Sequence, residues 1–319
     1  MKQILKFIRS ISLLNWCFRK IIKWNYSIAK KLFKFSSEHL IMSGIESIKL
    51  PNGRQFKIFS KGDDFIPNQL FWHGYKGYED SIEVFYHLSL YSKTIVDIGA
   101  NIGYYSLVAS TANPDSKIYA FEPVERIIKR FEKQIRINNF QNIQIEKTVV
   151  SNYEGEIVFY VPKGNNMAFA ASAKKGWVSQ VDEELIKCNT LDTFIKSNNI
   201  GKLDLVKMDC EFHEYEILQG MKEIIKNDEP AILMEVLMPE AVGVKGIIED
   251  NGYIILLEQL IREFGYFPYL IFEGALIKIA NLEYNKSDRN YLFVKYDSKK
   301  TFNLIPEFVE MYLENRNKK

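Results

Sequence analysis

Side chains capable of acid–base chemistry are concentrated at the end of a short apolar segment, Leu203–Asp209, which we predict to be a strand. Asp209, Glu211 and His213 occupy alternate positions at this point of the chain. Free histidine has a pKa of about 6.5, so His213 is the first candidate for a general base. Asp209 and Glu211 would then hold the substrate hydroxyl that loses its proton, orient the imidazole, or act as the base themselves. The alternative is that His213 only starts a helix and faces solvent.

A second candidate site lies at Thr94–Gly103, which reads TIVDIGANIG. The β-branched, apolar residues at 94–98 predict a buried strand, and a helical pattern follows the turn. A strand that turns sharply into a helix presents backbone N–H groups to a nucleotide-like ligand. We therefore expect a cofactor to bind at this turn, and the candidate residues are Asp97, Gly99, Ala100, Asn101 and Gly103.

The residues of this turn favour a cationic cofactor without phosphate groups. The glycine spacing departs from the GxGxxG fingerprint of dinucleotide-binding proteins. The Asp97 carboxylate would repel a pyrophosphate and attract a cation. S-adenosylmethionine is the common cationic nucleoside cofactor, and we expect it here.

The next predicted strand, Ser116–Phe121, ends at Glu122 and Pro123. Glu122 follows Asp97 by 25 residues, and the acid that bonds a ribose in dinucleotide-binding folds follows its glycine motif by about 20 residues. We expect Glu122 to accept hydrogen bonds from ribose hydroxyls, with Pro123 beside it. An ordinary βαβ unit with a capped helix is the alternative.

Composition indicates a globular protein and excludes several partners. The 319 residues are 47% hydrophobic and 26% charged. Residues 1–37 contain nine Lys or Arg and no acid, so the rest of the chain carries 33 basic against 40 acidic side chains. The mild excess of acidic side chains in this part of the chain argues against general nucleic-acid binding as the function. Three cysteines without paired or metal-ligand spacing suit a reducing cytoplasm, and we predict no metal site.

Residues 2–35 form a basic amphipathic pattern that has two interpretations. Isoleucine and leucine recur at helical spacing among the lysines, and no apolar run approaches the length of about 18 residues that would span a bilayer. A basic helix that carries tryptophan can lie on an anionic membrane surface. It can equally pack on the body of the protein or on a second subunit. The oligomeric state stays open.

An aromatic segment precedes the central strand. Residues 45–50 and 55–59 flank Asn52-Gly53 and predict a β-hairpin. The following sixteen residues, FIPNQLFWHGYKGYED, are expected to form a loop, with a helix at 79–91 after it. Trp72 and Tyr75 in this loop are candidates for stacking on a sugar ring or covering a cofactor. The alternative is a small satellite core.

The rest of the chain alternates predicted strands and helices, as in an α/β sheet. We predict further strands at 143–150, 157–161, 231–235 and 253–257, helices at 124–138, 190–197, 240–251 and 305–315, and an irregular segment at 162–181. The 231–235 strand ends in Glu235, which is a third candidate for contacting the acceptor.

The ordered motifs VDIGANIGYYS, FEP, TLDTF, LDLVKMDCEFHEYEILQG and PAILMEV resemble the FkbM family of class I S-adenosylmethionine-dependent methyltransferases. The resemblance covers roughly residues 70–296. It implies an α/β fold with a seven-stranded Rossmann-like sheet and helices on both faces. The expected organisation is a basic helical extension at 1–43, a hairpin and aromatic lead-in at 44–93, the methyltransferase domain at 94–296 and a C-terminal helix or tail at 297–319.

The resemblance also implies roles for individual residues. Asp97, Gly99, Asn101 and Gly103 would line the methionine moiety of the cofactor, Glu122 the ribose, and Val150 and Ser151 the adenine side. The family segment after the fourth strand usually reads Asp-x-Glu-Gly-x-Glu. Asp209, Glu211 and Glu214 match that pattern, whereas Phe212 replaces the glycine.

The expected reaction is methyl transfer from S-adenosylmethionine to an oxygen nucleophile, with a sugar hydroxyl of a glycan or glycosylated precursor as the acceptor. Two rival functions remain at this point. A nicotinamide-dependent oxidoreductase is disfavoured by the glycine spacing and by Asp97. A non-catalytic scaffold that retains the fold is suggested by Phe212 and by the basic N-terminus.

Overall fold

The computed structural model describes residues 42–163, 171–174, 180–237, 252–272, 275–282 and 289–295, together with Cys17, Lys20 and Trp24. The strands are β1 Gly44–Lys49, β2 Gln55–Ser60, β3 Thr94–Ile98, β4 Lys117–Phe121, β5 Ile143–Glu146, β6 Val149–Val150, β7 Gly155–Pro162, β8 Val181–Asn189, β9 Leu205–Met208, β10 Ala231–Glu235, β11 Tyr266–Phe272, β12 Ala275–Lys278 and β13 Asn290–Lys295. The helices are α1 Phe65–His73, α2 Ser81–Ser89, α3 Tyr104–Ala112, α4 Glu125–Asn138, α5 Leu191–Ser197, α6 Glu214–Gln219, α7 Lys222–Asn227 and α8 Gly252–Glu263.

The main sheet has the strand order β12-β11-β13-β10-β9-β3-β4-β5. Strands β10, β9, β3, β4 and β5 are parallel, and β13, β11 and β12 are joined to them by antiparallel pairing. After β3 the chain builds outward through β4 and β5, and it then returns to place β9 on the other side of β3. Ligands of open α/β sheets bind at the carboxyl ends of the strands where the order reverses. The fold therefore places a binding crevice at the ends of β3 and β9.

Helices cover both faces of this sheet, as predicted. One hydrophobic cluster joins α2 and α3 to alternate residues of the strands, including Ile95 of β3 and Leu205 of β9. The other joins α5 to α8 to the opposite residues, including Val96 and Val206. The sheet has eight strands because β12 forms a hairpin with β11 at the edge, beyond the seven that the resemblance implies.

The predicted β-hairpin is confirmed, but the first nine residues of the predicted loop form a helix, and only residues 74–80 are irregular. Residues 65–73 form α1, whose Phe71 and Trp72 are buried in the cluster that also holds the hairpin residues Phe56 and Ile58. Pro67 lies in the first helical turn, where its missing N–H costs nothing. Burial against the hairpin thus explains the aromatic residues.

Three other segments differ from the prediction. Residues 143–150 form two strands, because β5 pairs with β4 whereas β6 pairs with β8. Strand β8 was not predicted, since most of its side chains are exposed and it lacks an apolar pattern. Residues 253–257 belong to helix α8, where Tyr253, Leu257 and Ile261 recur at helical spacing on the buried side. A five-residue window was too short to show that period.

Several predictions concern residues outside the described ranges: the helices at 240–251 and 305–315, most of the irregular segment 162–181, and most of the N-terminal extension. Of that extension, Cys17, Lys20 and Trp24 are helical. Lys20 Nζ lies 2.5 Å from Glu46 Oε2 in the hairpin, while the Trp24 side chain is exposed. Within the described part of the chain, no helix is both long and apolar enough to cross a lipid bilayer.

The turn between β3 and α3 depends on a glycine. Gly103 has a φ of +85°, and a Cβ there would lie 1.9 Å from the Phe131 ring of α4. Gly53 in the hairpin turn has a nearly equal φ of +83°, but a Cβ there would meet nothing within 4 Å. The two glycines therefore share the conformational requirement, and only Gly103 adds a steric one.

We predict that Gly53→Ala lowers the free energy of unfolding by about 1 kcal/mol, the cost of a left-handed backbone for alanine. Gly103→Ala should cost about 1–3 kcal/mol more, because the methyl group overlaps a buried ring. Urea denaturation followed by circular dichroism measures both values. Equal losses in the two variants would mean that α4 moves away from the turn without cost.

Candidate functional site

A cavity of about 650 Å³ opens at the carboxyl ends of β4, β3, β9 and β10. Its volume lies in the range of about 300–1,000 Å³ that is typical of small-molecule sites. Ten of the predicted site residues line it: Gly99, Ala100, Asn101, Glu122, Pro123, Val150, Asp209, Glu211, His213 and Glu235. The topology therefore brings most of both predicted sites, the turn and the acidic cluster, into one cavity.

Asp97 does not line the cavity but supports the turn from behind. Its side chain is fully buried, and Oδ2 accepts hydrogen bonds from the Ser106 backbone N–H at 3.1 Å and hydroxyl at 2.6 Å. Burial raises the pKa of Asp97, and the nearby Lys207 charge opposes that shift. Asp97 thus fixes the start of α3 from behind the turn.

Four other predicted residues also do not line the cavity. Gly103 packs on Phe131, and Ser151 is buried with its hydroxyl on His213. Trp72 packs edge-on against Phe71, and the Tyr75 carbonyl accepts a hydrogen bond from the Tyr104 hydroxyl. The structure of Trp72 and Tyr75 therefore agrees better with packing in a satellite core than with stacking on a sugar ring.

Glu122 is held rigidly at the end of β4. Oε2 accepts a hydrogen bond from the Asn101 N–H at 3.0 Å, and Oε1 accepts one from the Val124 N–H at 2.9 Å. Asn101 has a φ of +52°, a conformation that asparagine tolerates. Burial raises the pKa of Glu122 to about 7 despite these two bonds. Each oxygen keeps a second lone pair that can accept a hydrogen bond from a ligand.

Lys207 is a buried cation in the middle of this site. Its Nζ lies 3.4 Å from Asp209 Oδ2 and 4.7 Å from the centre of the Tyr105 ring. Burial lowers the pKa of Lys207, but Asp209 and Asp97 outweigh burial and the net pKa is raised. Burial likewise raises the pKa of Asp209, and the Lys207 charge reverses this, so that the net pKa is lowered. Asp209 is therefore ionised at neutral pH.

Two further carboxyl groups beside Asp209 are protonated at neutral pH. Burial and the Asp209 charge raise the pKa of Glu211 to about 9. Burial and the Asp209 charge also raise the pKa of Glu235 well above its usual range, and the Glu235 and Asp209 side chains share a hydrogen bond. Arg289 Nε lies 3.7 Å from Glu235 Oε1. The cluster thus combines one ionised carboxylate with two carboxylic acids that can donate hydrogen bonds.

His213 precedes α6 and is 4% exposed. Its Nε2 lies 3.1 Å from the Ser151 hydroxyl, and its Nδ1 lies 3.6 Å from Glu216 Oε2. Burial lowers the pKa of His213 to about 4, so the ring is neutral at pH 7. The ring borders the cavity but is a weak base.

The segment before α6 has an uncommon backbone. Glu211 and Phe212 have φ values of +53° and +74°, the region where glycine is normally required. The Ser172 hydroxyl donates to the Glu211 carbonyl at 2.7 Å, and Phe212 is 2% exposed with its ring edge-on to Tyr253. The glycine of the family pattern thus corresponds to a left-handed position, which here is maintained by side-chain packing and by a hydrogen bond.

Glu214, the last acid of the family pattern, is structural in this chain. Its Oε1 accepts a hydrogen bond from the Cys210 N–H at 2.9 Å, and Oε2 accepts one from the Tyr253 hydroxyl at 2.5 Å. The carboxyl therefore closes the strained turn and ties it to α8.

Sequence reasoning missed several residues that line the cavity, including Glu79, Tyr105, Lys207 and Arg289. A lysine inside an apolar strand was a usable signal for Lys207, because a buried charge requires a partner. Glu79 and Arg289 carry no such local signal. Among the described residues, no group of three or more His, Cys, Asp or Glu is placed to hold a metal ion.

The fold is of the Rossmann-like α/β type, with its cavity at the switch point of the sheet. Residues 97–267, just over half of the chain, match the sequence profile of the methyltransferase FkbM domain. The chain therefore belongs to the FkbM methyltransferase family, and its reaction class is methyl transfer.

Two relatives and one solved structure illustrate the similarity. Methyltransferase 1 of Beauveria bassiana (strain ARSEF 2860) is 24% identical over 188 residues, which cover 52% of this chain and 74% of that protein. Hexuronic acid methyltransferase AglP of Haloferax volcanii is 26% identical over 152 residues, which cover 48% of this chain and 59% of AglP. The crystal structure of methyltransferase FkbM from Methylobacillus flagellatus KT aligns over 65% of this chain and 47% of its own, with 16% identity and a TM-score of 0.39. This chain thus spans less than two thirds of the last two proteins.

Replacing Phe212 tests how the strained turn is stabilised. Phe212→Ala should lower the free energy of unfolding by about 3–5 kcal/mol, because it leaves a cavity in the core. Phe212→Gly should be about 1 kcal/mol less destabilised than Phe212→Ala, because glycine adopts the positive φ without strain. Chemical denaturation of both variants measures the difference. An alanine variant as stable as the glycine variant would show that the backbone relaxes once the ring is removed.

Proposed function

We propose that this methyltransferase uses S-adenosylmethionine and methylates an oxygen, with a sugar hydroxyl as the acceptor. The observation that carries the proposal is the ionised Asp209, held by buried Lys207, in the same cavity as Glu122 and the β3–α3 turn. When bound, the cofactor supplies a methyl group on a positively charged sulfur.

The lining of the cavity supports a cofactor without phosphate groups. Seven acidic side chains line it against three basic ones. Each of the three basic residues already lies beside a carboxyl group: Arg130 pairs with Asp63 at 2.6 Å and with Asp64, Lys207 with Asp209, and Arg289 with Glu235. Such a lining offers little positive charge to a pyrophosphate and therefore disfavours it. This argues against the nicotinamide-dependent alternative.

Glu122 is suited to hold the ribose of this cofactor. Its carboxyl is fixed by two backbone N–H groups and faces the cavity at the end of the strand next to β3. Val150, which also lines the cavity, supplies an apolar wall on the same side, where we place the adenine.

Asp209 is the best-placed general base for an acceptor hydroxyl. A hydroxyl is a poor nucleophile until its proton is removed, and a base within hydrogen-bond reach typically contributes about 10²–10⁴-fold in rate. Lys207 keeps the Asp209 carboxylate ionised, whereas Glu211 retains its proton at neutral pH and His213 has little basicity. In this mechanism Asp209 takes the proton, and Glu211 and Glu235 donate hydrogen bonds that position the acceptor oxygen.

The hydrogen-bonding groups of the acidic cluster support a sugar acceptor. Neighbouring hydroxyls of a sugar need both donors and acceptors, and the mixture of one carboxylate and two carboxylic acids provides both. AglP, by its name, methylates a hexuronic acid, which is also a carbohydrate. A lining so rich in carboxyl groups favours a neutral hydroxyl acceptor over an anionic one. Membrane contact through residues 2–35 remains a separate proposal.

We predict that Asp209→Asn lowers turnover by about 10²–10⁴-fold and retains binding of S-adenosylhomocysteine, the demethylated cofactor. Glu211→Gln is the matched control, because Glu211 is already neutral at pH 7 and should lose far less activity. Transfer of a labelled methyl group to a panel of sugars and glycan precursors measures turnover, and calorimetry measures binding. An active Asp209→Asn variant beside an inactive His213→Ala variant would make His213 the base.

Cofactor binding should depend on pH through Glu122. Its pKa of about 7 lies above the ordinary value of 4.5, so the group is largely protonated at mildly acidic pH. Ribose hydroxyls donate to the ionised form, so affinity for S-adenosylhomocysteine should rise with pH and level off above about 7, by up to tenfold per pH unit. Glu122→Gln should bind more weakly at all pH values and remove this dependence, as measured by calorimetry. The same pH profile in the variant would assign the titration to another group.

A further inference from the structure

Glu79 lines the cavity although it lies before the residues that match the family profile. It belongs to the connection between α1 and α2. Its Oε2 accepts hydrogen bonds from the Tyr105 hydroxyl at 2.6 Å and from the Ser81 hydroxyl at 3.3 Å. Within the described residues, Oε1 accepts no hydrogen bond. The carboxyl is thus oriented through one oxygen, and the other oxygen is available to a ligand.

Glu79 shares the cation beside it, Lys207, with other acidic groups. Burial and the Asp209 charge raise the pKa of Glu79, whereas Lys207 and the two hydroxyl donors lower it. The same Lys207 amine also serves Asp209 and Asp97, so a single cation is shared by three acidic groups. Buried charges are stable only when they are paired. A positive group on a ligand would favour the ionised form of Glu79 and pair with it.

The location of Glu79 distinguishes it from the ribose-binding end of the cavity. Glu122 lies at the end of β4, on one side of β3, whereas Glu79 interacts with Asp209 and Lys207 of the β9 side. A ligand that places its ribose at Glu122 and crosses the β3–α3 turn reaches Glu79 with its opposite end. In S-adenosylmethionine that end is an amino acid with a free ammonium group.

We propose that Glu79 binds the ammonium group of the cofactor's methionine moiety, with Tyr105 and Ser81 as the residues that position its carboxyl. This inference rests on the proposed cofactor. It assigns to residues 44–93 a direct part in cofactor binding, in addition to packing against the sheet. The acidic groups that remain, Asp209, Glu211 and Glu235, are then left for the acceptor.

The test compares two nucleosides that differ in the amino-acid part of the molecule. S-adenosylhomocysteine carries the amino acid, whereas 5′-methylthioadenosine has the same nucleoside sulfide without it. Glu79→Gln should weaken S-adenosylhomocysteine binding by about 10- to 100-fold, the value of a charged hydrogen bond. It should leave 5′-methylthioadenosine binding unchanged. Isothermal calorimetry on the full chain measures both affinities.

Two further variants keep the test decisive. Glu83→Gln removes a carboxylate one helical turn away, which pairs with Lys76, and should alter neither affinity. Tyr105→Phe leaves Glu79 in place and removes one orienting hydroxyl, so it should weaken S-adenosylhomocysteine binding less than Glu79→Gln does. It also provides a folded variant if Glu79→Gln is unstable.

Each outcome has one meaning. Equal losses for both nucleosides, or no loss for either, would overturn the assignment of Glu79 while leaving the cofactor in place. A wild-type protein that binds neither nucleoside would overturn the proposed cofactor itself. Selective loss of S-adenosylhomocysteine in Glu79→Gln and Tyr105→Phe, with Glu83→Gln unaffected, would establish the ammonium subsite.

Discussion

The close approach of β3 and β9 at their carboxyl ends is the constraint on which the site depends. A methyl group on Gly99 would lie 2.1 Å from the carbonyl oxygen of Asp209, so the two turns can pack only because residue 99 has no side chain. The Asp209 N–H also donates to the Ile98 carbonyl at 3.2 Å. The glycine therefore serves backbone packing as much as ligand access. It places the β3–α3 turn beside the Asp209 carboxyl. Transfer of a group between two bound molecules requires that they be held close together in this way.

The buried Lys207 gives the acidic groups of the cavity different protonation states. Carboxyl groups crowded in a dry site cannot all be ionised, and the one closest to a cation keeps its charge. Asp209 keeps its charge beside Lys207, whereas Glu211 and Glu235 hold protons. A cluster that reads in the sequence as uniformly acidic thus becomes one carboxylate and two hydrogen-bond donors. Neighbouring carboxyl groups thus acquire different protonation states from their surroundings.

The turn that replaces the family glycine with Phe212 shows how packing can substitute for conformational freedom. The backbone stays left-handed, and its cost is offset by the buried ring, by the Ser172 hydroxyl on the Glu211 carbonyl and by Glu214 on the Cys210 N–H. Strained backbone near an active site persists only where surrounding contacts determine it. Residues 171–174, whose Ala171 and Ala173 line the cavity, are therefore coupled to the acidic cluster through Ser172. Such coupling links the shape of the acceptor side to the position of the proposed base.

The sequence by itself determined the central strands, the hairpin, the glycine turn and the acids at the strand ends. Those features depend on near neighbours along the chain: β-branched runs, an Asn-Gly turn, and the spacing of Glu122 from Asp97. Only the tertiary structure showed that Asp97 and Ser151 do not line the cavity, that Trp72 packs in the core, and that β8 is a strand. It alone joined Glu79 to Tyr105 and gave Lys207 its partners. The physical reason is that burial and electrostatic pairing are set by residues far apart in sequence, and both decide which side chains face a ligand and which of them carry charge.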